Sequence, residues 1–338
     1  MKQRILLGTV AALTMSAGTV LAGTLDDVMA KGHLQCGTNT GLVGFAAPDE
    51  NGVWEGFDVA YCRALAAAIF GDPMAVKFTP LTGKTRFTAL ASGEIDVLSR
   101  NTTWTFSRDV DLKQTFVGIN YYDGQGFMAK KSLGVSSAHE LGGASVCIQT
   151  GTTTELNLAD FFRSNGMEYD PIPIETNAEA REQFFADACD VYTTDRSGLA
   201  ATRASHEDPD SLVVLPEIVS KEPLGPLVRH GDDQWADIAR WVLNALVSAE
   251  ELGITAANAM EMAEGTNNPE INRLLGSEGN FGEMIGLPGD WAVHAIMARG
   301  NYEEIFEAYI GVNTPIGLVR GVNALWTDGG LIYSPPFR

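Results

Sequence analysis

Three short segments of this 338-residue chain carry polar groups suited to holding a small molecule by two oppositely charged ends. The first, Asp96–Arg108 (DVLSRNTTWTFSR), leaves the strand-like run Ile95–Leu98 for a polar loop. Loops at the carboxyl ends of sheet strands are where α/β folds commonly place ligands. Arg108 is able to grip a carboxylate through two parallel hydrogen bonds, a geometry lysine cannot copy. Asn101 and Thr103 stand beside it as short donors, and the alternative is a solvated arginine with an N-capping threonine. The second segment, Thr150–Glu155 (TGTTTE), joins a strand to a helix. There Gly151 permits a tight turn, and Thr152 and Thr153 set hydroxyls beside the free amides of a helix start, an anion cradle. Thr154 and Glu155 are expected to cap that helix, and no Gly-Lys-Ser/Thr follows, which excludes a nucleotide P-loop. The third is Asp195, at the end of VYTTD, where a carboxylate costs desolvation unless a cation meets it. A cap for the helix that follows is its alternative role. Arg86, in Gly83–Phe87, is either a partner for an acidic ligand or a solvated helix residue.

Little else in the chain offers chemistry. The histidines (His33, His139, His206, His230 and His294) are scattered, with no Ser-His-Asp or metal-ligand spacing among them. No catalytic residue, metal or cofactor is expected. With 43 acidic against 23 basic side chains the net charge is −20, which disfavours nucleic-acid binding because phosphates need a basic face. Lys2 and Arg4 precede an apolar run from Ile5 to Met15, and Val20-Leu21-Ala22 makes an acceptable cleavage site, so residues 1–22 read as an export leader. The apolar run is shorter than the roughly 20 residues a membrane span needs. A leaderless chain, starting near Gly23, keeps a net charge near −22.

The elements that must position these groups alternate. Strand-like His33–Thr38, helical Phe57–Phe70, strand-like Val76–Pro80, helical Lys84–Ser92 and strand-like Ile95–Leu98 make one βαβ series. Ala144–Gln149, helix Thr154–Asn165, Tyr169–Glu175, helix Ala178–Ala186 and Cys189–Thr194 make another, without a detectable sequence repeat. About 316 residues after the leader exceed what one core usually holds, so two lobes are expected. Trp235, Ile238, Ala239, Val242, Leu246 and Ala249 predict a helix in the tail, as do Ile305, Phe306, Tyr309 and Ile310, with Gly311 as a stop.

Residues Gly56–Ile69 (GFDVAYCRALAAAI) step from a loop through an aromatic and Asp58 into apolar positions at helical spacing. Cys62, Leu65 and Ile69 form one stripe, and Asp58 is placed to cap free amides at the helix start. Behind an export leader, this stretch resembles the signature of the extracytoplasmic solute-binding proteins that feed polar amino acid ABC transporters, family 3. Ala60 stands where that family usually has a second acid. The resemblance implies an α/β, two-lobed, type II-like periplasmic binding protein, each lobe a mostly parallel sheet flanked by helices, joined by a two-stranded hinge. It implies one lobe from residues 23–127 and 224–338, and an inserted second lobe from 128–223. Thr103 and Arg108, with Asn101 in place of a usual serine, match the carboxylate-binding loop. Thr152 and Thr153 match its counterpart in the opposite lobe, and Asp195 matches the acid for an α-ammonium. Members selective for basic ligands carry an acid and then an aromatic after the first strand. Asn39 and Leu42 stand there instead, which implies a roomy, less discriminating pocket. The tail resembles the general L-amino acid-binding branch.

The resemblance therefore implies a monomeric periplasmic protein that captures L-amino acids by hinge closure and hands them to the permease subunits of an ABC transporter. A sensor for a chemoreceptor or kinase, and a dehydratase or lyase on the same fold, are the alternatives. In an oxidising compartment the four cysteines are expected to pair, as Cys36–Cys62 and Cys147–Cys189 within separate lobes. Buried free thiols are the other possibility.

Overall fold

A computed structural model describes residues 23–338, and the leader expected over 1–22 lies outside the described residues. The chain opens with α1 (Thr24–Lys31), β1 (Leu34–Thr38), a small ribbon of β2 (Ala47–Pro48) and β3 (Trp54–Glu55), and α2 (Phe57–Phe70). Next come β4 (Val76–Pro80), α3 (Arg86–Ser92), β5 (Val97–Leu98) and β6 (Gln114–Phe116). After β7 (Tyr121–Asp123) and β8 (Gln125–Lys130), a second α/β series holds β9 (Ser145–Gln149), α4 (Thr153–Ser164), β10 (Asp170–Ile174), α5 (Asn177–Phe185), β11 (Val191–Asp195), α6 (Arg196–Ala204) and β12 (Leu212–Val214). The chain returns through β13 (Glu222–Leu224) and β14 (Leu227–Arg229) to the long helix α7 (Asp233–Glu251). It closes with α8 (Ala259–Ala263), α9 (Pro269–Leu275), α10 (Phe281–Ile285), α11 (Trp291–Arg299), α12 (Tyr302–Tyr309) and irregular chain.

Two five-stranded sheets result, in the orders β4-β1-β5-β14-β6 and β10-β9-β11-β8-β12. In each, three parallel strands are extended through two antiparallel pairings, so that one strand of the five (β14 or β8) runs against the rest. The crossover helices supply the parallel part, since parallel neighbours need a long connection. Between the sheets, β7 and β13 pair antiparallel as a separate ribbon, with Tyr121 opposite Leu224 and Asp123 opposite Glu222. The chain thus crosses twice at one place. Gln125–Phe127, given by sequence to the first lobe, lie in the second sheet, where Gln125 pairs with Asp195.

The cysteines form two disulfides, Cys36–Cys62 and Cys147–Cys189, and none is free among the described residues. One fastens β1 to α2, and the other fastens β9 to the turn before β11.

Helix α2 differs from an amphipathic surface helix. Every residue from Phe57 to Ile69 is buried, Asp58 and Arg63 included. The tail is the cause, because α11 packs along the side of α2 that the sheet leaves uncovered. Arg63 donates there to the Trp54 carbonyl at 2.9 Å and lies over the Phe78 ring. The tail also braces the approach to the ribbon. The Tyr302 hydroxyl donates to the Asn120 carbonyl at 2.7 Å, and the Tyr121 and Phe306 rings stack at 6.2 Å.

Candidate functional site

The loop after β5 is held from below by Asp58. Its carboxylate accepts the Asn101 amide at 2.9 Å, its carbonyl accepts the Ser99 hydroxyl at 3.0 Å, and its side chain makes no helix-capping bond. The acid expected to cap α2 is spent on the cleft loop. Asn101 has a positive φ of 36°, a conformation that asparagine tolerates better than most residues. Asn39 donates to the Asn101 side chain at 2.9 Å and stands behind it rather than beside a ligand. Leu42 is drawn away altogether, since the tight turn that pairs it with Ala46 folds it into the hydrophobic core.

Three arginines converge where this loop meets α3. Arg86, Arg100 and Arg108 are 3, 3 and 6 % exposed, and none forms an ion pair with a carboxylate among the described residues. The Arg100 guanidinium donates to the Leu81 carbonyl at 2.8 Å, Arg86 to the Thr102 hydroxyl at 3.2 Å, and Arg108 to the Thr103 carbonyl at 2.8 Å. Arg86 and Arg108 both lie over the Phe87 ring, at 4.8 and 5.1 Å from its centre. Burial pulls all three below the ordinary arginine range, Arg100 and Arg108 to about 10, so both stay charged at neutral pH. The carboxylates of Asp58, Asp195 and Glu222 act on this wall only from beyond salt-bridge distance, which leaves its guanidinium groups open to an anion.

The opposite wall is the start of α4. Thr152 is the N-cap: its hydroxyl accepts the Glu155 amide at 3.2 Å and donates to the Gln149 carbonyl at 2.6 Å. The Glu155 carboxylate reaches back to the Gly151 amide at 2.8 Å, and Gly151 needs its φ of 74° for the turn. Thr153 faces across, its hydroxyl 3.3 Å from that of Thr103. Both hydroxyls donate to Glu222 on the ribbon strand β13, which also accepts from Asn157 at 2.8 Å. The two walls also touch at their lips. A β-carbon added to Gly83 would fall 2.6 Å from the Thr150 carbonyl oxygen, and one added to Gly151 would fall 2.9 Å from the Lys84 side chain.

Asp195, 6 % exposed, closes the far end at the start of α6. It is not the cap of that helix, because Asp123 accepts the Ser197 amide and Asp195 makes no capping bond. Its carboxyl is pushed well above the usual carboxylate range by burial and by the neighbouring charges of Asp123 and Glu222, while Asn101 and Arg86 pull it back. Asp123 is raised to about 6, chiefly by burial.

Together these residues line a small polar chamber between the two sheets. Of the residues singled out by sequence, Arg86, Asn101, Thr103, Thr152, Thr153 and Asp195 line it. Arg108 and Gly151 line an outer groove of about 1100 Å³ that shares Thr152 and Thr153 with the chamber. Sequence reasoning missed Arg100, Gln149, Asn177 and Thr194 in the chamber, and Glu222 beneath it. A buried charge in the run VLSR was a usable signal for Arg100. For Gln149, Asn177 and Glu222 there was none, since each is one polar residue within an ordinary strand or helix.

The sequence pattern of the bacterial extracellular solute-binding proteins, family 3, matches residues 34–257. The chain is 63 % identical over 338 residues to the glutamate/glutamine/aspartate/asparagine-binding protein BztA of Rhodobacter capsulatus, with all of each chain covered. It is 55 % identical over 342 residues, again with both chains covered in full, to the general L-amino acid-binding periplasmic protein AapJ of Rhizobium johnstonii. Among solved structures, an ABC transporter periplasmic binding protein from Brucella ovis with glutathione bound superposes with a TM-score of 0.91. It is 57 % identical, over 94 % of this chain and all of that one.

Proposed function

Because this chain belongs to family 3 of the bacterial extracellular solute-binding proteins, we propose that it captures L-amino acids of several kinds and delivers them to an ABC-type permease. The observation that carries this reading is the chamber itself, in which the buried Arg86 and Arg100, neither in a salt bridge among the described residues, share one polar lining with the buried Asp195. A zwitterion needs a cation and donors at one end and an acid at the other. In this reading the α-carboxylate lies toward Arg108 at the chamber's outer edge, the Thr103 and Thr153 hydroxyls turn from Glu222 to meet it, and Asp195 takes the ammonium. Asn101 and the free amides of α4 complete the enclosure.

The ligand lies between two walls that touch only when shut. It therefore shifts the population toward the closed form by binding both walls at once, as hinge-closing proteins do. The lobes that close are the two sheet units, joined by the β7–β13 ribbon. Export by the leader places the protein in the periplasm, as a monomer that meets the permease in its ligand-bound form. The names of BztA and AapJ support amino acids as the cargo.

Glutathione in the Brucella relative supports a second reading, in which larger γ-glutamyl compounds also bind. The outer groove beside Phe87, Leu112 and Leu156 would receive what the chamber cannot hold.

Calorimetric titration with the L-amino acids, their D-enantiomers and glutathione tests both readings. Several L-amino acids are expected to bind and be recovered unchanged, while the D-forms give no heat. Arg108→Ala is expected to weaken binding by about 2–5 kcal/mol, the usual effect of unpairing a buried charge. Absence of heat with every L-amino acid overturns the proposal.

A further inference from the structure

Three buried polar atoms on residues that line the chamber have no partner among the described residues: Arg86 Nε, Gln149 Nε2 and Asn177 Oδ1. Their side chains are 3, 5 and 7 % exposed, so water does not serve them freely. A buried polar group left unpaired destabilises a fold, and three around one small space point to a ligand that pairs them. They come from three elements on both sides of the cleft. Arg86 opens α3, Gln149 ends β9 just before the Thr150–Glu155 turn, and Asn177 opens α5. None of them is used by the groups assigned to the α-carboxylate and the ammonium. What remains of an amino acid is its side chain.

The chemistry of the three narrows that side chain. Arg86 donates only. Gln149 and Asn177 are primary amides, and a half-turn of each exchanges its donor edge for its acceptor edge. We propose that Arg86, Gln149 and Asn177 form a side-chain subsite for the carboxylate or carboxamide end of acidic and amide L-amino acids. A ligand carboxylate accepts from Arg86 and from the NH₂ groups of Gln149 and Asn177. A ligand carboxamide accepts from Arg86 and Gln149 through its oxygen and donates its NH₂ to Asn177 Oδ1. Arg86 donates to an oxygen of either end, and the turning amides supply the donor or acceptor edge that the rest of each end requires. An apolar side chain leaves the three atoms unpaired and binds more weakly, without being shut out.

This inference rests on the reading that the chamber holds an L-amino acid, and the test separates the two. The full mature chain and its Gln149→Leu, Asn177→Leu and Asn177→Asp variants are titrated with L-glutamate, L-glutamine and L-alanine. Ligand-free thermal unfolding verifies that each variant is folded. The two leucine variants are expected to weaken glutamate and glutamine about tenfold or more, and alanine by far less. Asn177→Asp is expected to weaken glutamate at least about tenfold more than glutamine, because the new carboxylate repels the ligand's own. Equal losses for all three ligands, or no loss for glutamate and glutamine, overturn the subsite while leaving amino acid capture in place. A wild-type chain that binds none of the three overturns the capture reading and the subsite with it.

Discussion

A carboxylate enclosed beside two others resists ionisation, and Asp195 is in that position, with burial acting first and the charges of Asp123 and Glu222 after it. An arriving ammonium favours the ionised form, so binding releases the proton that the empty site retains. The sign follows: affinity rises with pH through the range where unliganded Asp195 titrates, above the ordinary aspartate value, and falls toward acid pH. L-glutamine affinity is therefore expected to weaken on going from about pH 7.5 to about pH 5, with proton release seen as a buffer-dependent heat in calorimetry. A pH-independent affinity would remove Asp195 from the ammonium end. At this scale residue type and loop context together pointed to Thr103 and the Thr152–Thr153 pair, which the structure brings into one chamber, and to Arg108, which it sets in the outer groove. It misled at Leu42, because a turn closed by the Leu42–Ala46 bridge aims that side chain inward, and spacing along a chain does not reveal turns of that kind. Gln149 and Asn177 were invisible because their meaning lies in what they lack, a partner, which only three dimensions disclose.

At the scale of elements, period and turn signals placed the helices and strands of the two βαβ series to within a residue or two, and gave no span for α1, α6 and α8–α11. Helix Phe57–Phe70 and strand Val76–Pro80 match the expected spans. Thr152 rather than Thr154 caps α4, a shift of the kind that competing hydroxyls in a TGTTTE run allow. The larger surprise is α2, whose apolar spacing foretold one buried stripe while the fold buries all sides of it. Its extra cover is α11, supplied from more than two hundred residues away, and no local pattern carries that information. Trp291, 2 % exposed at the start of α11, anchors this cover against the Phe337 ring. Trp291→Ala is expected to cost about 3–5 kcal/mol in urea unfolding. A loss below about 1 kcal/mol would mean that the tail merely rests on α2.

At the scale of the molecule, two sheets share one strand pattern without sharing a sequence, and the β7–β13 ribbon lies between them. Alternating elements and length foretold two α/β units, whereas the double crossing came from resemblance alone. Closure itself is tested at Gly83, whose backbone does not need glycine but whose α-carbon meets the Thr150 carbonyl of the other wall. Gly83→Ala is expected to weaken ligand binding by about 1–3 kcal/mol, the usual penalty of overpacking. Small-angle scattering should then show the liganded variant as expanded as the empty wild type. Full contraction of the variant on ligand addition would exclude the lip contact as part of closure.

That meeting of bare backbones works as a caliper. Gly83 and Gly151 put backbone at the contact, with only the Lys84 stem and the Thr152 methyl beside it. There is thus little to compress, and the shut molecule has a thickness set chiefly by the main chain. Cargo that fits the chamber lets the jaws meet, whereas a tripeptide projecting through the mouth must hold them ajar. Guests of different length would thus leave different outlines for whatever the protein next encounters.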